Sequence, residues 1–238
     1  MTERGRGALH RTPERFEVGP SSMQWEDGAL TIEFDERAVP FPKRVRGRVR
    51  LIPERVEHVA YEIAPNHHWR PVAPSARIEV DIPSAGLSWR GHGYHDTNWG
   101  DEGLEYAFKR WDWSRGRAAD GSTSILYDVT PRNGEPSILA LRFPTAGPVE
   151  PFDAPPRARL GRGLWGVSRG VRADADTSPR LVRAFEDAPF YTRGELRSVL
   201  DGREIVGVHE TFDGDRFARP WVKALLPFRM PRIAGGRR

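Results

Sequence analysis

Cysteine is absent from the sequence, and with it go disulfides, thiolate zinc sites, iron–sulfur clusters and cysteine nucleophiles. A reducing compartment is compatible with that. Lysine is nearly absent too, occurring only at Lys43, Lys109 and Lys223, so the basic charge is almost wholly arginine. The 37 Lys and Arg residues against 33 Asp and Glu leave a net charge of only +4. Nucleic-acid binding needs basic residues gathered on one face. Here they are spread along the chain among acids, so no nucleic-acid partner is expected and the arginine reads as the codon preference of a GC-rich gene. No stretch approaches the roughly 18 consecutive apolar residues of a spanning helix, and Met1-Thr2-Glu3-Arg4-Gly5-Arg6 has no apolar signal-peptide core. Neither a membrane span nor secretion is expected. A GKS/T pattern and fixed-period repeats are missing as well, which leaves P-loop nucleotide folds without support.

What is present is an ordinary globular composition, 38% hydrophobic, 29% charged and 10% aromatic over 238 residues, enough to bury a core. The hydrophobic period is two. Leu30, Ile32 and Phe34 alternate with polar residues, as do Val45 to Leu51 and Ile78 to Ile82. Further strands are expected over Ser124 to Val129, Ser137 to Phe143, Leu181 to Phe185, Thr192 to Leu200 and Glu204 to Phe212. Asp27-Gly28, Asp120-Gly121, Asn133-Gly134, Asp201-Gly202 and Asp213-Gly214 supply hairpin turns. With 21 prolines and 24 glycines, the expected fold class is all-β, an antiparallel barrel or sandwich. Phe143 to Pro156 reads as a linker or one long loop, giving a β-domain over 1–145 and a β segment with a basic-aromatic tail over 146–238, or one continuous domain. In that tail, Trp221 to Met230 mixes aromatic, aliphatic and basic residues as an interfacial segment does. Pro227 speaks against a continuous helix there, and a last strand or a packed strap is the alternative.

Chemistry-bearing residues concentrate in Trp89-Arg90-Gly91-His92-Gly93-Tyr94-His95-Asp96-Thr97-Asn98-Trp99-Gly100. Asn66-His67-His68-Trp69-Arg70-Pro71 precedes it, and Trp111-Asp112-Trp113 follows. Residues two apart on a strand share a face. His67 therefore pairs with Trp69, and Tyr94 with Asp96 and Asn98, while His68, His95 and Thr97 point the other way. A cavity holding the first set would carry a carboxyl, an imidazole, a phenol and aromatic walls. Burial of Asp96 would favour its protonated form, which a general acid requires. Trp89, Trp99, Trp111, Trp113 and Asn98 are the candidate substrate-binding residues, with core or rim packing as the alternative for the tryptophans. Asp112 and Asp128 read as turn or surface residues. A metal reading would draw on His67, His92, His95 and Asp96, but neighbouring His95 and Asp96 diverge on a strand unless a bulge realigns them, so no metal is assigned.

The run Gly-Tyr-His-Asp-Thr-Asn-Trp-Gly at 93–100, with Asn-His-His-Trp-Arg-Pro at 66–71 and Trp-Asp-Trp at 111–113, resembles the carotenoid 1,2-hydratases, or hydroxyneurosporene synthases. The likeness continues through Arg4 to His10, Pro40-Phe41-Pro42, Arg46 to Leu51 and Glu186 to Tyr191. It implies a lipocalin-like β-architecture and cofactor-free addition of water across the terminal C1–C2 double bond of an acyclic carotenoid such as neurosporene or lycopene. In that family the acid falls on Asp96, with supporting roles on Tyr94, His67 and Trp69. Trp69 and Tyr94 would offer π faces to the tertiary carbocation, and His67 would orient the water and take its proton. Thr97 stands where the family usually has a second histidine. The resemblance also implies that the chain lacks the N-terminal part of the usual family sequence and starts at an internal methionine, leaving the site open along one wall and Asp96 wetter. Two other functions stay open: a non-catalytic lipocalin-like binder of apolar ligands, and a related isoprenoid or polyene cyclase. Because such substrates live in bilayers, the expected location is cytoplasmic with peripheral contact at the inner or photosynthetic membrane face. Oligomeric state is left unassigned.

Overall fold

The computed structural model describes residues 3–38, 41–229 and 232–233. Its strands run β1 (Glu3–Arg4), β2 (Leu9–Arg11), β3 (Arg15–Val18), β4 (Ser21–Glu26), β5 (Ala29–Arg37), β6 (Arg44–Pro53), β7 (Tyr61–Ala64), β8 (His67–Ile82), β9 (Leu87–Gly100) and β10 (Phe108–Ala118). They continue with β11 (Thr123–Pro131), β12 (Ser137–Phe143), β13 (Glu150–Pro151), β14 (Arg157–Arg162), β15 (Ser168–Arg172), β16 (Arg180–Asp187), β17 (Tyr191–Leu200), β18 (Arg203–Asp213) and β19 (Arg232–Ile233). Apart from two 3-10 turns, helix among the described residues is limited to α1 (Leu104–Ala107), α2 (Gly214–Phe217) and α3 (Pro220–Arg229). Two compact units result. The first takes its described residues from Met1–Glu57, Pro71–Asp96 and Ala224–Arg238, the second from His58–Arg70 and Thr97–Lys223.

In the first unit, antiparallel strands follow the order β2-β3-β4-β5-β6-β8. The Asp27-Gly28 turn between β4 and β5 has both residues at positive φ, 49° and 69°, as a two-residue hairpin loop requires. Register sorts the side chains: Leu30 lies opposite Leu51 and Ile32 opposite Val49, whereas Glu33 faces Arg48 and Asp35 faces Arg46. The apolar set closes on a core of Leu30, Leu51, Ala73 and Ala76, with Trp25, Ile32 and Ile78 packed against it.

The second unit is built on a seven-stranded antiparallel sheet in the order β13-β12-β11-β10-β18-β17-β16. One face carries Trp111, Trp113, Tyr127, Tyr191 and Phe212, which the registers bring into line. The other carries a core of Leu126, Ala140, Leu200 and Ile205 and is covered by a separate two-stranded sheet, β14-β15. The all-β, antiparallel expectation holds, but neither large sheet closes into a barrel among the described residues: the seven-stranded order is a path with two ends, and in the other sheet β9 branches from β8 and no strand order returns on itself. The ends of the seven-stranded sheet are a two-residue strand, β13, and β16, whose register shifts twice. Short or bulged edges of this kind discourage further pairing.

Three local expectations change. Asp213-Gly214 is not a hairpin: the Asp213 side chain accepts the Arg216 N–H at 3.0 Å and caps α2, the role short acidic side chains play at helix starts. The segment from Phe143 to Pro156 returns along the sheet and adds β13 beside β12. The tail is helical: α3 starts at Pro220, a position where the missing N–H costs nothing, and runs through Pro227 to Arg229. Met230, at the end of the segment singled out above, and Pro40 lie outside the described residues. No helix of the described residues is long and apolar enough to cross a membrane.

Candidate functional site

In the second unit, Asn66 at φ 59° turns the chain from β7 into β8, helped by its N–H donating to Glu62 Oε1 at 3.0 Å. Beyond this turn burial alternates as parity requires: His67 and Trp69 are buried, His68 and Arg70 half-buried. Trp69 sits between Tyr61, with ring centres 5.8 Å apart, and Tyr127, met edge-on at 5.6 Å. Tyr127 in turn meets Trp111 at 5.8 Å, and Trp111 stacks on Phe212 at 5.6 Å and meets Tyr191 at 6.2 Å. A continuous aromatic wall therefore crosses six strands, β7, β8, β11, β10, β18 and β17. Burial, reinforced by Glu210, pushes the Tyr191 phenol above the ordinary tyrosine range, so it stays neutral.

His67 is held from two sides. Phe108 meets its ring edge-on at 5.0 Å, and Gly100 approaches so closely that a Cβ there would lie 2.2 Å from Nδ1. Its Nε2 is buried with no hydrogen-bond partner among the described residues. On the other side of β8, His68 stacks on Trp99 at 5.3 Å and 6°. Trp99 and Asn98 are exposed, Trp111 is half-buried and Trp113 is buried.

The first unit holds the other half of the candidate set. His95 packs on Trp25 at 6.2 Å, and Gly93 leaves room for Ile78, whose Cδ1 would lie 2.0 Å from a Cβ at that position. Strand alternation turns Tyr94 and Asp96 to the opposite side. Both are half-buried, so Asp96 lacks the full burial that its role as a dry acid was expected to bring. Trp89 is exposed. The four parity-sorted residues thus fall as Tyr94 and Asp96 in the first unit, His67 and Trp69 in the second. No three His or acidic side chains among the described residues form a group able to hold a metal ion.

Sequence reading missed a buried polar network on the opposite face of the second unit's sheet. Asp112, expected at a turn or surface, is buried on β10. It receives Nε and Nη2 of Arg110 at 2.9 Å each, the Gly170 N–H at 3.1 Å and the Thr211 hydroxyl at 2.5 Å. His209 Nε2 lies 3.2 Å from that hydroxyl, and burial pushes the imidazole down to about 4. Asp128, also buried, receives Arg157 Nε at 3.0 Å and Arg172 Nε at 2.8 Å. The signal that could have found this pair is the bracket around Asp112: Trp111 and Trp113 on one face force the residue between them onto the other.

Comparison with known proteins follows the same motifs. A family model described as carotenoid hydratase CrtC matches residues 1–238. An acyclic carotenoid 1,2-hydratase of Thiocapsa roseopersicina is 48% identical over 238 residues, 99% of this chain and 58% of the relative. One of Cereibacter sphaeroides is 41% identical over 238 residues, 99% of this chain and 85% of the relative. The chain therefore spans 58% of the length of the first of these proteins. Among solved structures, a protein described as AttH from Nitrosomonas europaea superposes with a TM-score of 0.60 at 12% identity, covering 87% of this chain and 72% of that one. That likeness concerns the fold. With the model matched from end to end and two relatives above 40% identity, the chain belongs to the carotenoid hydratase family.

Proposed function

We propose that this chain carries a carotenoid 1,2-hydratase activity: addition of water across the terminal C1–C2 double bond of an acyclic carotenoid such as neurosporene or lycopene. The observation that carries this reading is the family match over residues 1–238, which includes all three motifs. Asp96 is assigned as the acid. It delivers a proton to C2, the π electrons form the new C–H bond, and a tertiary cation is left at C1. Water adds at C1 and loses a proton to a base, which restores the acid after proton return and yields a tertiary alcohol. No cofactor enters this balance.

Protonating an isolated alkene needs an acid shielded from bulk water. A half-buried Asp96 acquires that shielding when an apolar polyene covers it. Tyr94 and Trp69 are assigned to stabilise the cation through their π faces. His67 is assigned to orient the water, and its buried, unpartnered Nε2 supports that role. The wall of Trp69, Tyr127, Trp111, Phe212 and Tyr191 offers the apolar, rigid surface that a conjugated chain needs. Trp89, Trp99, Trp113 and Asn98 complete the proposed substrate contacts, and a peripheral membrane contact would bring the protein to its substrate.

The test is expression in cells accumulating lycopene or neurosporene, beside Asp96→Asn, with pigment mass followed by chromatography and mass spectrometry. Product heavier by one water from the parent alone supports the assignment. An isomer of unchanged mass would replace it with a cyclase, and pigment bound without conversion would replace it with a carrier.

A further inference from the structure

The most exposed large apolar side chain of the second unit belongs to the loop between β14 and β15. Leu164 is 95% exposed, and beside it Trp165, 48% exposed, stacks on Trp221, 43% exposed, with ring centres 6.1 Å apart and planes at 27°. This tip is not a slack loop. Val167 beneath it is fully buried, and Arg169 holds Asp187 at 3.0 Å in a largely buried ion pair. The same Asp187 carboxylate accepts the backbone N–H of Leu164 at 2.8 Å and of Trp165 at 3.5 Å. The Gly163 N–H donates to Val167 O and the Gly166 N–H to Gly163 O, both at 2.9 Å. Arg216 Nη2 donates to Trp165 O.

All four amide protons of Gly163-Leu164-Trp165-Gly166 are thus satisfied inside the protein, at the most solvent-exposed point of the unit. A surface turn in water has no need of this, because water would serve those amides. Entering a medium without water does need it, since each unpaired N–H there costs several kcal/mol. The side chains agree with the backbone. The tip carries no charge, it presents one aliphatic residue and an indole pair, and its flanks are basic: Arg162 and Arg219 are exposed, and Arg216 spends its guanidinium on two carbonyl oxygens. Indoles favour the headgroup level of a bilayer, and arginines favour anionic headgroups.

We infer that the Gly163–Gly166 tip, with Trp165 and Trp221 beside it, is a membrane-surface anchor that seats Leu164 among the lipid chains of an anionic bilayer. This inference stands apart from the hydratase reading, because its test uses vesicles that contain no carotenoid. The 238-residue chain is mixed with sucrose-loaded vesicles of phosphatidylcholine alone or with phosphatidylglycerol, and the sedimented fraction is measured. Binding is expected to the anionic vesicles, weakening as salt is raised. Leu164→Glu should lower the partition coefficient about tenfold or more, the loss of one buried leucine, without altering the circular dichroism spectrum. Arg219→Glu should weaken binding to the anionic vesicles and leave that to pure phosphatidylcholine unchanged. Equal sedimentation of parent and Leu164→Glu, or no sedimentation of the parent, overturns the inference. So does a concentration-dependent dimer that Leu164→Glu abolishes while vesicles bind neither form, since the tip would then be a contact between copies of the chain.

Discussion

Replacing Gly100 by alanine separates the position of His67 from its chemical identity. The added Cβ would lie 2.2 Å from Nδ1, 2.3 Å from Cε1 and 2.6 Å from Cγ of the imidazole, whereas ordinary contact begins near 3.4 Å. The ring must shift by roughly 1 Å, and Phe108 blocks part of its path at 5.0 Å. Overpacking of this kind costs about 1–3 kcal/mol. In a protein of this size that amounts to a melting temperature lower by about 2–12 °C. A displacement of about 1 Å in a group that orients a reactant costs on the order of 100-fold in rate. Gly91→Ala on the same strand is the control, because its Cβ meets only the exposed Trp89 ring at 3.1 Å. The assay is hydrated pigment per unit of folded protein, with thermal melting measured in parallel. A melting temperature that falls while turnover is retained would remove His67 from the reaction. No change in either would refute the claim that Gly100 pins the ring.

Two further outcomes follow from the buried polar network. His209 is held neutral down to about 4, below the ordinary histidine value of about 6.5. The unfolded chain therefore binds this proton first, and folding stability falls as pH drops from about 6.5 to about 4, by on the order of 3 kcal/mol in all. His209→Gln should flatten that limb of the stability–pH curve relative to the parent, and denaturant melts at several pH values would reveal an unchanged slope if the reasoning is wrong. Asp112→Ala leaves the Arg110 guanidinium, the Gly170 N–H and the Thr211 hydroxyl without their shared acceptor, at a cost of about 3–5 kcal/mol. Denaturant unfolding measures it, and a loss below about 1 kcal/mol would mean that water replaces the carboxylate easily.

Much of the fold was legible because period two is a local property. The alternations at Leu30 to Phe34 and Thr192 to Leu200 predict strands; in β17 burial follows the same parity, with every even position buried, whereas in β5 the neighbours Leu30 and Thr31 are both buried. Asp27-Gly28 and Asp201-Gly202 read correctly because positive φ at both residues is a local demand. Asp213-Gly214 has the same composition but caps a helix, since Asp serves turns and N-caps through the same short side chain. Gly214 is required there for a tertiary reason: a Cβ would lie 2.1 Å from Phe108 O. For the candidate site, parity paired His67 with Trp69 and set Asp96 apart from His95. It could not supply Tyr127, Tyr191 and Phe212, which reach Trp111 only through the registers of three other strands. Register is a property of the assembled sheet.

The way β14 and β15 are fastened has a dynamic consequence. This pair forms its own sheet, joined to the seven-stranded one by the Asp112 and Asp128 carboxylates and by buried Val167, Val171 and Ala173 in place of ladder hydrogen bonds. An element held in this way can lift off without breaking a single rung of its neighbour, so it opens as a separate cooperative piece. In hydrogen exchange its amides should form a class of their own, released earlier as ionic strength rises, while those of β10, β11 and β18 remain protected. The arginines that look like codon preference in the sequence set the free energy of that opening, because a fork-shaped guanidinium can hold a carboxylate through two parallel bonds and an ammonium cannot.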